Sequence, residues 1–170
     1  LLFLPYLAMK LAGALGVASV LWGWVAACAL FASVLLHELG HSVIARGRGY
    51  PVRDIVLTPI GGVAFLTKAP RRANDEMAIA IAGPVVSLLL AVGCWLGAAP
   101  LLRAGLTDSG ATLDLVGSIN MTLVVFNLIP CFPMDGGRVY RAWRTRKVGR
   151  LRATAQAVRL GKFLAWTLGL

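Results

Sequence analysis

The chain holds two histidines, four residues apart with a glutamate between them: His37-Glu38-Leu39-Gly40-His41. On an α-helix, positions i and i+4 differ by about 40° in azimuth, so both imidazoles project from one face. Neutral imidazole is a good zinc ligand, and a carboxylate beside such a pair can touch a metal-bound water without ligating the metal. Two histidines, one further protein ligand and a water form the open tetrahedral site of a catalytic zinc ion (Zn2+). Such a metal lowers the pKa of its water to about 7, and Glu38 is placed to take the proton before a peptide carbonyl is attacked. The plainer reading is a pair of histidines hydrogen-bonded across helices beside a structural glutamate. It leaves unexplained why three such costly groups share one apolar segment.

A third protein ligand is required, and few residues offer one. Glu76 lies 35 residues beyond His41, but it opens a helix, where favourable interaction with the helix dipole accounts for it. Cys131 is chemically competent and lies near two prolines. Asp135 follows the same prolines, Pro130 and Pro133, and precedes Gly136-Gly137, so an unwound backbone can aim its carboxylate inward. An Asp-Gly turn at the end of a span is the alternative reading of Asp135. Asp135 is the expected third ligand, because a span interrupted at membrane depth is one that lines a cavity.

The elements that must carry these residues are membrane helices. Hydrophobic residues make up 58% of the 170 and charged ones only 14%, against about 25% charged in soluble domains. Mean hydropathy is +0.78. Residues 22–45 would extend about 36 Å as a helix, enough to cross a bilayer. Further spans are expected at 75–98 and 113–129, with partial spans at 1–19 and 153–170. Asn74 or Asp75 is expected to cap the helix of residues 75–98, and Gly83 with Ser87 forms a small-residue pair suited to close helix packing. Between the second and third spans the texture changes: Val52, Ile55, Val56, Val63 and Phe65 are punctuated by Pro51, Pro59 and Gly61-Gly62. That pattern predicts one or two short strands with a turn. The fold class expected is an all-α integral-membrane helical bundle with a small membrane-associated β element. Residues 1–170 are expected to form a single transmembrane core. The chain lacks an initial Met and closes within the apolar run 163–170, so a segment of a longer protein is expected.

The net charge of +10 fits topology better than nucleic-acid binding. Arg46, Arg48 and Arg53 follow one span, Lys68, Arg71 and Arg72 precede the next, and Arg138 to Arg152 form a third basic cluster. The loop 100–111 between other spans has one Arg and one Asp. Positive charge marks the cytoplasmic side. His37 and His41 precede Arg46 by about 13 and 7 Å along a helix, which places the site below the cytoplasmic surface. Cys28, Cys94 and Cys131 have no spacing that implies disulfides or a cysteine zinc site.

Two distant segments together, His37 to His41 and Asn127-Leu-Ile-Pro130-Cys-Phe-Pro133-Met-Asp135-Gly136-Gly137, resemble the site-2 protease family of intramembrane zinc metalloproteases. The resemblance includes Gly61-Gly62-Val63 and Ala82-Gly83-Pro84. It looks most like the compact branch, without an inserted PDZ domain. What it implies is zinc held by His37, His41 and Asp135, with Glu38 as catalytic base. Asn127 would steady substrate or oxyanion, and the segment from Gly61, Gly62 and Val63 to Leu66 would pair with an unwound substrate as an edge strand. It further implies cleavage within or near a transmembrane segment of a membrane-bound regulator, such as an anti-sigma factor. The setting would be a bacterial or archaeal cell membrane.

Overall fold

The computed structural model describes residues 3–15, 20–58, 61–66, 69–70 and 72–167. The expected turn at Pro59, the basic residues Lys68 and Arg71, and the last residues of the apolar run lie outside them. In chain order the elements are α1 (Phe3–Leu15), α2 (Val20–Gly47), β1 (Val52–Thr58), β2 (Gly61–Leu66), α3 (Ala73–Arg103), α4 (Thr107–Asn127), α5 (Asp135–Val148) and α6 (Arg150–Thr167). Among the described residues three helices, α2, α3 and α4, are long and apolar enough to cross a membrane.

Side-chain size is distributed as a lipid-facing bundle requires. The interior of the bundle is built mainly from small residues, including Ala26, Ala27, Ala80, Ser87 and Ala91, whereas Leu36, Val43, Leu89, Leu96 and Val125 are exposed. Without a hydrophobic force between helices in lipid, close approach of backbones through small residues is what holds them together. α3 is central, packing against α2, α4 and α5; α1 packs mainly on α2, and α6 on α5. Asn120, fully buried on α4, donates from Nδ2 to the Ser33 hydroxyl on α2 at 3.0 Å and to the Val116 carbonyl at 2.9 Å.

β1 and β2 pair antiparallel in a two-stranded sheet, with Val56 opposite Val63, Leu57 opposite Gly62 and Thr58 opposite Gly61. Both strands lie beside α2.

Several boundaries differ from the expected ones. α3 extends beyond 75–98 to Ala73–Arg103 and contains Pro84 and Pro100. α4 starts at Thr107 rather than 113 and stops at Asn127 rather than 129. The expected cap by Asn74 or Asp75 is not made: the N-cap of α3 is Arg72, with no side-chain cap bond. The Asp75 carboxylate accepts instead from Arg48 Nη1 at 2.7 Å and from the Tyr50 hydroxyl at 3.0 Å. The Arg48 guanidinium, just past the end of α2, brings a full opposite charge to the carboxylate, which a backbone N–H does not. α6 begins at Arg150, ahead of 153, and Arg152, Arg159 and Lys162 keep it outside the group of apolar helices.

Candidate metal centre

The site is framed by two antiparallel helices in fixed register. On α2, His37 and His41 are each 5% exposed, and their rings meet edge-on with centroids 4.9 Å apart. On α3, Ile79, Gly83 and Ser87 recur every four residues and so share one face. His37 Nδ1 lies 2.8 Å from the Ser87 hydroxyl, and His41 Nδ1 donates to the Ile79 carbonyl at 2.6 Å. These bonds hold both rings from the outside and turn both Nε2 atoms to one point. Gly83 faces that point. A Cβ there would lie 2.6 Å from His37 Nε2 and against His41 Nε2, so any larger residue would fill the space between the rings.

The third group arrives from a broken helix. α4 ends at Asn127, the residues 128–134 turn, and α5 begins at Asp135. The turn packs directly on α5's first residues: a Cβ on Gly137 would lie 2.6 Å from the Cys131 carbonyl oxygen and from Phe132 N. Asp135 is 8% exposed, and its Oδ2 lies 3.2 Å from His37 Nε2 and 3.1 Å from His41 Nε2. One ligand atom from each of the three residues falls within 4.8 Å of the others. Arg138 Nη1 approaches Asp135 Oδ1 at 3.5 Å.

The donor chemistry fits a divalent cation. A carbonyl oxygen carries no proton, so His41 Nδ1 must be the N–H, and the neutral ring then presents a lone pair at Nε2. That lone pair faces a carboxylate oxygen at 3.1 Å, an arrangement that repels unless a positive charge lies between them. Imidazole nitrogen with carboxylate oxygen is a donor set suited to zinc.

The other candidates are placed elsewhere. Glu38 is half-buried on α2, next to His37 and outside the three-atom group. Asn127 is half-buried as the last residue of α4. Gly61, Gly62 and Val63 form the start of β2. Glu76 is not in the metal group; it is engaged by Arg141 and Arg150. Cys131 turns its thiol to Met134 Sδ at 3.8 Å. The residues that sequence reasoning undervalued are Ile79, Gly83 and Ser87. Their four-residue spacing mirrors that of the histidines, but Gly83 and Ser87 read equally well as ordinary helix packing.

A family model described as peptidase family M50 matches residues 25–107 and 103–168. The chain belongs to peptidase family M50. Among its relatives, a zinc metalloprotease of Methanocaldococcus jannaschii is 42% identical over 151 residues, 86% of this chain and 42% of that protein. Stage IV sporulation protein FB of Bacillus subtilis is 30% identical over 107 residues, 62% of this chain and 35% of its own length. The chain thus spans less than half the length of these relatives. A solved structure, the site-2 protease from Methanocaldococcus jannaschii, superposes with a TM-score of 0.69 at 36% identity, covering 98% of this chain and 73% of that one.

Proposed function

We propose that this chain is the core of a zinc-dependent intramembrane endopeptidase that hydrolyses a peptide bond within or near a transmembrane segment of another membrane protein. The observation that carries the reading is the convergence of Asp135 with His37 and His41, which stand on a helix long and apolar enough to cross a bilayer, in a member of a peptidase family. The three residues would hold zinc, as the names of the M50 relatives suggest. Zinc bound there supplies a Lewis acid and lowers the pKa of water to about 7.

The chain's own residues do the rest. Glu38 projects one position past His37 and accepts a proton at its carboxylate, then returns it to the leaving amine. The Ile79 carbonyl fixes the tautomer of His41, and together with the Ser87 hydroxyl it fixes the tilt of the two imidazoles. Asn127, at the rim of the break in α4, donates from its amide to the substrate carbonyl as charge develops. β2 has only β1 as a partner among the described residues, so its outer edge is available to an extended peptide. The substrate's own helix has to open first, because a helical carbonyl is already hydrogen-bonded four residues on. The substrate class proposed is a membrane-bound regulator with a single span, cut on the cytoplasmic side of the membrane.

Substituting Glu38→Gln in the protein in its native membrane tests this. Zinc content is expected to stay at the wild-type level while release of fragments from a co-expressed single-span substrate falls at least about 100-fold. Unchanged cleavage would overturn the reading, and a metal-carrying scaffold or transporter would take its place.

A further inference from the structure

Glu76 is a buried carboxylate, 2% exposed, that the proposed chemistry does not use. Its partners come from the two helices that follow the metal ligand Asp135. Arg141 of α5 donates from Nε to Oε1 at 2.7 Å, with Nη2 on the same oxygen, and Arg150 Nη2 of α6 stands 3.8 Å from Oε2. The Arg141 guanidinium also lies over the ring of Phe132, 4.9 Å from its centroid. Phe132 belongs to the turn that leads into Asp135. Three residues along α3 from Glu76, the Ile79 carbonyl holds His41. A single turn of α3 is therefore bonded to both halves of the metal group, to His41 through a carbonyl and to α5 through a carboxylate.

We infer that Glu76 and Arg141 are positioning residues of the metal centre, clamping α5 and the Phe132 turn so that Asp135 meets the two histidines. The inference rests on the zinc reading of that centre. The two histidines of α2 meet Asp135 only at its Oδ2, and the Arg138–Asp135 contact lies inside α5, so it cannot set where α5 sits. A buried carboxylate tolerates little displacement of its cationic partner, because a buried charge left unpaired is costly. Arginine's planar fork bonds the carboxylate and stacks on the ring at once, which lysine cannot do. A second tie from α5 to α3, Arg146 to Asn74, is exposed and supplies a control.

The test is titration of the detergent-purified, metal-stripped protein with Co2+ and Zn2+, comparing wild type with Asp135→Asn, Glu76→Gln, Arg141→Lys and Asn74→Ala. Glu76→Gln and Arg141→Lys are expected to weaken metal binding by about 10- to 100-fold. Their Co2+ absorption bands should shift toward those of Asp135→Asn, with Asn74→Ala matching wild type. A purely structural role would reduce the amount of folded protein and leave the spectrum of the remainder unchanged. If Glu76→Gln does not fold, Arg141→Lys, which keeps the charge, decides. Wild-type affinity and spectrum in the clamp variants, with both altered in Asp135→Asn, would overturn the clamp and leave the zinc reading standing. An unaltered Asp135→Asn would remove the zinc reading and the clamp together.

Discussion

At the scale of single residues, the metal centre depends on what stands behind and between the ligands. Ser87 bonds His37 Nδ1 while fully buried, so its removal leaves that ring nitrogen without a partner. Ser87→Ala is expected to lower zinc affinity by about 10- to 100-fold, measured by competition with a chromophoric chelator. Gly83 presents the sharper case, because a single added methyl would lie among the donor atoms themselves. Gly83→Ala should abolish stoichiometric zinc binding, whereas Gly93→Ala, whose Cβ meets nothing within 4 Å on the same helix, should bind normally. Both variants can be read by metal analysis of purified protein, without any substrate.

At the scale of elements, the break between α4 and α5 is the decisive feature. Pro130 and Pro133 stop α4 from continuing, and Gly136-Gly137 lets the turn 128–134 fold onto the start of α5. A Cβ on Gly137 would press on the backbone of Cys131 and Phe132, which cannot yield as a flexible side chain would. Gly137→Ala is expected to cost about 1–3 kcal/mol of stability and to weaken metal binding, seen as a lower melting temperature and a lower zinc content together. Gly47→Ala, with open space around it, should show neither. The same break explains why α4 ends earlier than its apolar run suggests. Leu128 and Ile129 are apolar enough to prolong a span, but hydropathy carries no information about where the backbone must turn. The cap of α3 escapes the sequence for a related reason: Asp75 is a good cap by type, and only the folded chain brings Arg48 and Tyr50 within reach of it.

At the scale of the whole molecule, charge is sorted to one end of the bundle. Arg46 lies in the last turn of α2 and Arg48 just past it, Arg72 precedes α3, and α5 carries Arg138, Arg141, Arg144, Arg146 and Lys147, while the junction of α3 and α4 has only Arg103, ending α3, and Asp108, in the first turn of α4. The proposed orientation places the basic end in the cytoplasm. Single cysteines introduced at Arg46 and at Leu106, in a cysteine-free background, should react with an impermeant maleimide from opposite sides of the membrane. Labelling of Leu106→Cys from the inside would reverse the proposed topology.

The residue spacing determined the part of the site that is local. His37, Glu38 and His41 lie within five residues of one helix, and helical geometry alone puts both imidazoles on one face. Composition likewise determined that the chain is built from apolar helices, since lipid-facing surface must be hydrophobic whatever the neighbours are. The prolines and glycines around Asp135 favour it over Glu76 as the third ligand, but spacing alone brings neither to the histidines, because both are far away in sequence and both adjoin helix starts. The tertiary structure separated them: packing of α3 against α2 and α5 turns Glu76 toward arginines and leaves Asp135 facing the two Nε2 atoms. It also decided the face of α3 that backs the histidines, where Ile79, Gly83 and Ser87 stand. That register is set by two helices meeting across dozens of intervening residues, and no single helix carries it.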